Sequence, residues 1–391
     1  MRQTQPDGAV DRKFAALASV VTAVIVYWSL FPFEWLDRTG DSNGLAALLA
    51  TWRDWPQRAD LLANILLYMP LGFFTVQAFR RRPLYLALVT AAGMALSVAM
   101  EITQYYDRGR ATSLSDVYAN TAGTLLGGAL GYELHRQTPA RLPASFRQRP
   151  YIILMLGCWL GYRLFPYVPT VDLHAYWTAV KPLFRSPELP PLDLYRHTVI
   201  WLALALLLQA LAGVAWSRVA FVLFVPLLEG MRILIGTPLS PAEVLGGAIA
   251  VLLWVGGMAR LRGRGLILAA SFTLMIILRG LAPFHFHNTG RSFQWVPFRS
   301  FLWGDLGVNV QVFLEKTFLY GTLVWLWVRG GWSFTAATLG SAAVVLGIAF
   351  AQVLLPGRSA ELTDMVMLII MASILKTMAE DLPAGSEARA G

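Results

Sequence analysis

The chain has 391 residues, of which 56% are hydrophobic and 14% charged, with a mean hydropathy of +0.54. A soluble globular protein carries about a quarter of its residues as charges, so there is too little polar surface here to coat a water-facing body. This excludes an ordinary soluble enzyme, a disordered chain and a nucleic-acid binder, despite a formal charge of +9, and leaves a polytopic membrane protein.

Crossing the hydrocarbon takes about 20 mostly apolar residues. In chain order, twelve segments fit: 14–32, 61–79, 84–105, 115–133, 151–167, 194–213, 217–235, 241–259, 265–282, 307–328, 332–354 and 362–379. The first lacks a small-residue cleavage site and its apolar run is too long for a signal peptide, so it is read as retained. Pro, Gly and charges break the segments apart. The expected fold class is therefore an all-α membrane protein with about twelve transmembrane helices. Arg80-Arg81-Arg82, Arg136, Arg141, Arg147, Arg149, Arg218, Arg260, Arg262, Arg264 and Arg329 all fall on even-numbered connections. By the positive-inside bias that face, with both termini, is cytoplasmic. The basic surplus is thus a topology signal, and the opposite face comes out near neutral. The single cysteine, Cys158, lies in an apolar run and can form neither an intrachain disulfide nor a metal cluster.

The chain restarts three times. Phe31-Pro32-Phe33, Phe165-Pro166-Tyr167 and Ala282-Pro283-Phe284 each close an apolar helix and open a longer outer loop. Each loop ends in a shared pattern: Asp60 with Asn64, Asp193 with His197, and Asp305 with Asn309, spaced i, i+4 on one helix face. Gln104 to Asp116 aligns without a gap on Gln352 to Asp364, sharing Gln, Gly, Arg, Leu and Asp; the middle unit has a looser version around Glu229 and Glu243. Three parallel four-helix repeats follow, at 14–135, 150–260 and 264–380, between cytoplasmic tails 1–13 and 381–391.

In the first unit this orientation brings Asp60, Asn64, Glu101, Gln104, Arg110, Asp116 and Asn120 to the outer ends of three helices, as a candidate ligand-binding cluster. Asp193, His197, Glu229, Asp305, Asn309, Gln352, Arg358 and Asp364 are its equivalents in the later repeats. Glu101 is the sharpest candidate, because an ionisable group within a span costs several kcal/mol unless it meets a partner or a cavity. Structural readings stand beside these. Asp60, Asp116, Asp193, Glu243 and Asp364 suit helix starts, and Ser240-Pro241-Ala242-Glu243 reads as a capping box. Glu101 suits pairing with Arg108 or Arg110, and Asn64 and Asn120 suit interhelical hydrogen bonds. Gly123, Gly127 and Gly131 form a helix-packing stripe. His285 and His287, with His174 or His197, lack the carboxylate or cysteine spacing of a metal site, so neither a metal nor a cofactor is expected.

Asp60-Leu61-Leu62-Ala63-Asn64 through Tyr68-Met69-Pro70-Leu71-Gly72-Phe73 resembles the N-hydrophobic-P-L-G-F segment of the VanZ-like family. Glu101-Ile102-Thr103-Gln104, then Arg110, then Asp116 with Asn120 and Gly123, is similar to that family's E-x-x-Q … R … D-x-x-x-N-x-x-G signature. The third unit departs from it, with Ala349 for Glu and Leu368 for Asn; the second keeps Glu229 and has His197 for Asn. The resemblance implies a bacterial cytoplasmic-membrane protein with one family-like site in the first unit. The family takes its name from a glycopeptide-resistance protein, and no resistance role is inferred from the name. The expected function is binding or handling of an amphiphilic envelope molecule, polyprenyl-linked or glycopeptide-like, with membrane lipids as partners and no nucleic acid. The chain shows no nucleophile motif, which ranks second an intramembrane transferase or hydrolase using Glu101 or Asp116 as acid/base. A scaffold for envelope-assembly enzymes ranks third.

Overall fold

In the computed structural model, the described residues are 11–31, 33–38, 43–54, 58–79, 83–108, 110–141, 149–165, 167–185, 189–287, 291–302 and 306–379. Among them the chain is helical, with only two isolated bridges, Trp35 to Asp107 and Gln294 to Glu361. Each of the twelve segments expected from hydropathy coincides with helix. Four stretches are long and apolar enough to cross a membrane by length and composition: Leu84–Gln104, Pro191–Val214, Arg264–Leu281 and Phe334–Leu354. Shorter apolar stretches are Phe14–Leu30, Asn64–Ala78 and Pro241–Gly256.

The chain divides into two compact units at Leu142/Pro143, where the sequence suggests three repeats. The first unit holds α1 (Arg12–Leu30), the short α2 (Gly44–Ala50), α3 (Arg58–Ala78), α4 (Pro83–Gln104) and α5 (Leu114–Arg141). Asn43 caps α2 by accepting from Ala46 N at 2.8 Å. Pro70 sits inside α3, where its missing N–H leaves the Leu66 carbonyl without its helical donor. The α3–α5 contact is backbone on backbone, as the small-residue stripe predicts. A Cβ added at Gly123 would strike the Ile65 carbonyl, and one at Gly127 the Met69 carbonyl. Ile25, Tyr68 and Leu71 form the buried centre, with Val21, Leu67 and Leu96 packed around it.

The second unit holds α6 (Pro150–Arg163), the short α7 (Leu173–Val180) and α8 (Pro182–Arg185), α9 (Pro191–Ile235) and α10 (Pro241–Gly256). It continues with α11 (Arg264–Leu281), the one-turn α12 (Arg299–Leu302), α13 (Leu306–Arg329), α14 (Phe334–Ala351) and α15 (Thr363–Ala379). The sixth and seventh expected segments run on as α9, broken at Gly213, whose φ of 77° and ψ of 170° are not helical. Lacking a Cβ, glycine adopts that conformation without steric penalty. Trp159, Trp201, Phe221, Trp254 and Phe318 are buried here and meet in tilted or edge-to-face pairs. The loops after α1, α6 and α11 each contain short helix rather than only extended chain.

Candidate functional site

In the first unit, the N-terminal ends of α3 and α5 and the C-terminal end of α4 carry the predicted cluster. α4 ends at Gln104 and α5 begins at Leu114, so Glu101 lies one turn inside the first and Asp116 in the first turn of the second. Glu101 is 3% exposed, and its Oε2 accepts from Ser113 N at 2.7 Å. A carboxylate at a helix start is favoured by the local amide donors and the macrodipole, and here Glu101 supplies it from the neighbouring helix. The expected partners therefore shift: the hydrogen bond to Glu101 comes from a backbone amide, with the Arg110 charge nearby.

Gln104 and Arg110 spend their donors elsewhere. Gln104 Nε2 donates to Ser29 O at 2.8 Å. Arg110 donates from Nε to Phe31 O at 2.9 Å and from Nη2 to Trp28 O at 3.0 Å. All three acceptors lie at or just past the end of α1, where helical carbonyls lack intrahelical donors. Burial pushes the Arg110 guanidinium below its usual range, while Asp107 and Glu101 beside it hold it up.

Asn120, fully inside α5, donates from Nδ2 to Ser97 Oγ of α4 at 2.9 Å, which fits the interhelical hydrogen-bond reading. Asn64 is half-buried on α3, and Asp60 lies in the first turn of that helix with its side chain outside the described residues. Sequence reasoning missed Asp107, which is fully buried and accepts from Glu34 N at 2.9 Å, tying the loop after α1 to the loop after α4. The sequence shows it only as one acid in a polar loop. Tyr68 and Ser97 read in the sequence as ordinary residues of apolar helices.

The same side-chain bonds recur in the second unit around the third chain restart, and a backbone pattern recurs around both later restarts. Gln352 Nε2 donates to Gly280 O at 2.9 Å. Arg358 donates from Nε to Ala282 O at 3.0 Å, and from Nη2 to Ala282 O at 2.8 Å and Arg279 O at 3.3 Å. Phe33, Tyr167 and Phe284 all take positive φ, between 63° and 65°. Each amide bonds the carbonyl three residues back, on Leu30, Leu164 and Leu281. Three residues further on, Leu36, Thr170 and His287 donate to the carbonyls of Tyr106, Leu234 and Leu354.

The later equivalents are otherwise engaged in ion pairs. Glu243 contacts Arg163 and, at 2.6 Å, Arg232, which also holds Glu229 at 3.1 Å. Ser240 makes no capping bond, so the capping box read from the sequence is not formed: buried arginines compete for its glutamate. Asp364 pairs with Lys316 at 2.5 Å, and Arg279 with Glu315 at 2.8 Å. Asp193 lies 3.5 Å from Arg196, and buried His197 takes a 3.1 Å contact at Nε2 from that same arginine. Asn309 lies in α13, and Asp305 falls outside the described residues. Among the described residues, no group of three His, Cys, Asp or Glu side chains is placed to hold a metal ion.

The family model described as VanZ/LLP1 matches residues 11–135, which lie in the first unit and run from α1 into α5. No curated protein and no solved structure matches the chain.

Proposed function

We propose, from the VanZ-like character of residues 11–135, that this is a multi-pass protein of the bacterial cytoplasmic membrane that binds an amphiphilic envelope molecule. The ligand, polyprenyl-linked or glycopeptide-like, has its polar part at the outer ends of α3, α4 and α5. Asn64, Glu101, Asp116 and Asn120 face it, Asp60 sits in the first turn of α3, and Gln104 and Arg110 hold the frame. The observation that carries this reading is Glu101, a buried carboxylate one turn inside an apolar helix, bonded to the amide that opens α5. Such a group inside a span marks function by default.

The chain crosses the membrane twelve times as three parallel four-helix repeats, with both termini cytoplasmic. The recurring bonds after α1, α6 and α11 support the repeat, and the arginine-rich even-numbered connections support the orientation. Only the first copy keeps both Glu101 and Asn120, so the binding role is assigned to it. An enzyme reading ranks below this one, because neither Glu101 nor Asp116 stands beside a nucleophile motif.

Native mass spectrometry of protein extracted with its lipids tests the reading. Wild type retains a defined amphiphile, and Glu101→Gln loses it while still folding. Equal retention by both, or no bound amphiphile in wild type, refutes it.

A further inference from the structure

Beneath Glu101 the polar character continues inward by one helical turn. Tyr68 is four residues beyond Asn64 on α3, Ser97 four before Glu101 on α4, and Asn120 four beyond Asp116 on α5. Residues at this spacing share a helix face, so the three form a second layer on three neighbouring helices. The layer is sealed from water: Tyr68 is 1% exposed, Ser97 0% and Asn120 5%. Below it, Thr124 packs against Gly93, where an added Cβ would lie 2.5 Å from Thr124 Oγ1.

This layer is only partly satisfied. The Tyr68 hydroxyl has only Ser97 beside it, whose hydroxyl can donate to the Tyr68 oxygen and leave the Tyr68 proton unused, and Asn120 Oδ1 has no partner. Either orientation of the Asn120 amide leaves one of its atoms open next to Ser97. A buried polar group left unpaired costs about 1–3 kcal/mol, so the open Asn120 atom, with a spare Tyr68 proton beside it, calls for an occupant.

The other copies separate this set from the framework. The gap-free register that carries Gln104 onto Gln352 and Arg110 onto Arg358 carries Ser97 onto Val345, Glu101 onto Ala349 and Asn120 onto Leu368. All three replacements are buried and apolar. In the middle of the chain the matching positions are Val225 and Gly247, and a Cβ at Gly247 would lie 3.1 Å from Val225 Cγ1. The bonds to the end of α1 therefore recur where the polar layer is gone. What recurs is framework, and what is unique to the first unit is the site.

We propose that Tyr68, Ser97 and Asn120, below Glu101, form the pocket that recognises an uncharged hydroxyl-bearing head group of the bound amphiphile. A ligand hydroxyl donates to Asn120 Oδ1 and accepts from the Tyr68 hydroxyl, the two bonds an ordered water would make in its place. An anionic group is disfavoured: the charge next to the layer is the Glu101 carboxylate, and Arg110 is bound to carbonyls of α1. The proposal rests on the amphiphile-binding reading above and names the part of the molecule that is read.

The test uses full-length protein in phosphatidylcholine nanodiscs and two probes with the same chain, dodecyl glucoside and dodecyl phosphate. The expected result is saturable glucoside binding to wild type, at least tenfold tighter than dodecyl phosphate. Tyr68→Phe and Asn120→Leu weaken it at least tenfold. Tyr68→Phe removes one oxygen and keeps the ring, so it reports even if Asn120→Leu fails to fold. Glucoside binding unchanged by Tyr68→Phe and by folded Asn120→Leu, or phosphate binding as tightly as glucoside, overturns the hydroxyl pocket and leaves amphiphile binding standing. Saturable binding of neither probe overturns both.

Discussion

Arg110 and Arg358 offer the most direct check on what ties the end of α1, and of its counterpart α11, to the loop that carries the arginine. Replacing Arg110 by lysine removes a planar fork and substitutes one ammonium on a flexible stem. The fork reaches Phe31 O at 2.9 Å and Trp28 O at 3.0 Å from two different nitrogens. Lysine can serve at most one of these carbonyls, and a hydrogen bond to a charged group contributes about 1.5–3 kcal/mol net. Arg110→Lys should therefore lose about 1.5–3 kcal/mol. Arg358→Lys should lose a similar amount, because its Nε and Nη2 reach Ala282 O and Arg279 O in the same way. The assay is reversible unfolding by SDS titration in mixed micelles, followed by tryptophan fluorescence, with the exposed Arg260→Lys as control. If either variant unfolds with wild type, the guanidinium bonds are not what ties the end of α1 to the loop, and the reasoning fails.

Three further outcomes follow from the packing. Gly127→Leu should destabilise by at least the about 1–3 kcal/mol usual for overpacking, since its obstacle is the Met69 backbone; Gly157→Leu, with nothing within 4 Å, should be near neutral in the same titration. Arg232→Met strands Glu229, leaves Glu243 with Arg163 alone and should cost about 3–5 kcal/mol, part of which a second change, Glu229→Leu, restores; full stability of the single variant would show that the ion-pair network does not stabilise the unit. Asp107→Ala deprives the Glu34 amide of its acceptor and should cost about 1–3 kcal/mol, with faster amide exchange over residues 34–36; unchanged exchange there would show that the bridge does not need the carboxylate.

Much of the helical layout was legible in the sequence because it depends on composition over long windows. Twelve apolar stretches punctuated by Pro, Gly and Arg can be read without knowing any contact. The glycine stripe of α5 was equally readable, since small residues at i, i+4, i+8 have few uses other than close packing. The polar cluster was legible as residue types but not as roles. Gln104, Arg110 and Glu101 look alike in a list of candidates. In the fold, the first two turn back to carbonyls of α1 and the third accepts from the start of α5. Glu243 misled for the same reason: its local spacing fits a capping box, and arginines from distant segments claim it instead.

The sequence by itself determined the membrane class, the positions of the apolar helical stretches and the recurrence of the Gln…Arg…Asp stretch, because periodicity and composition are properties of the chain. Only the tertiary structure decided which polar atoms are already satisfied and which are left open. It set Tyr68, an unremarked tyrosine in an apolar helix, beside Ser97, and bonded Ser97 to Asn120. Satisfaction is a matter of donors and acceptors meeting within about 3 Å, and residues 68, 97 and 120 come that close only when three helices pack.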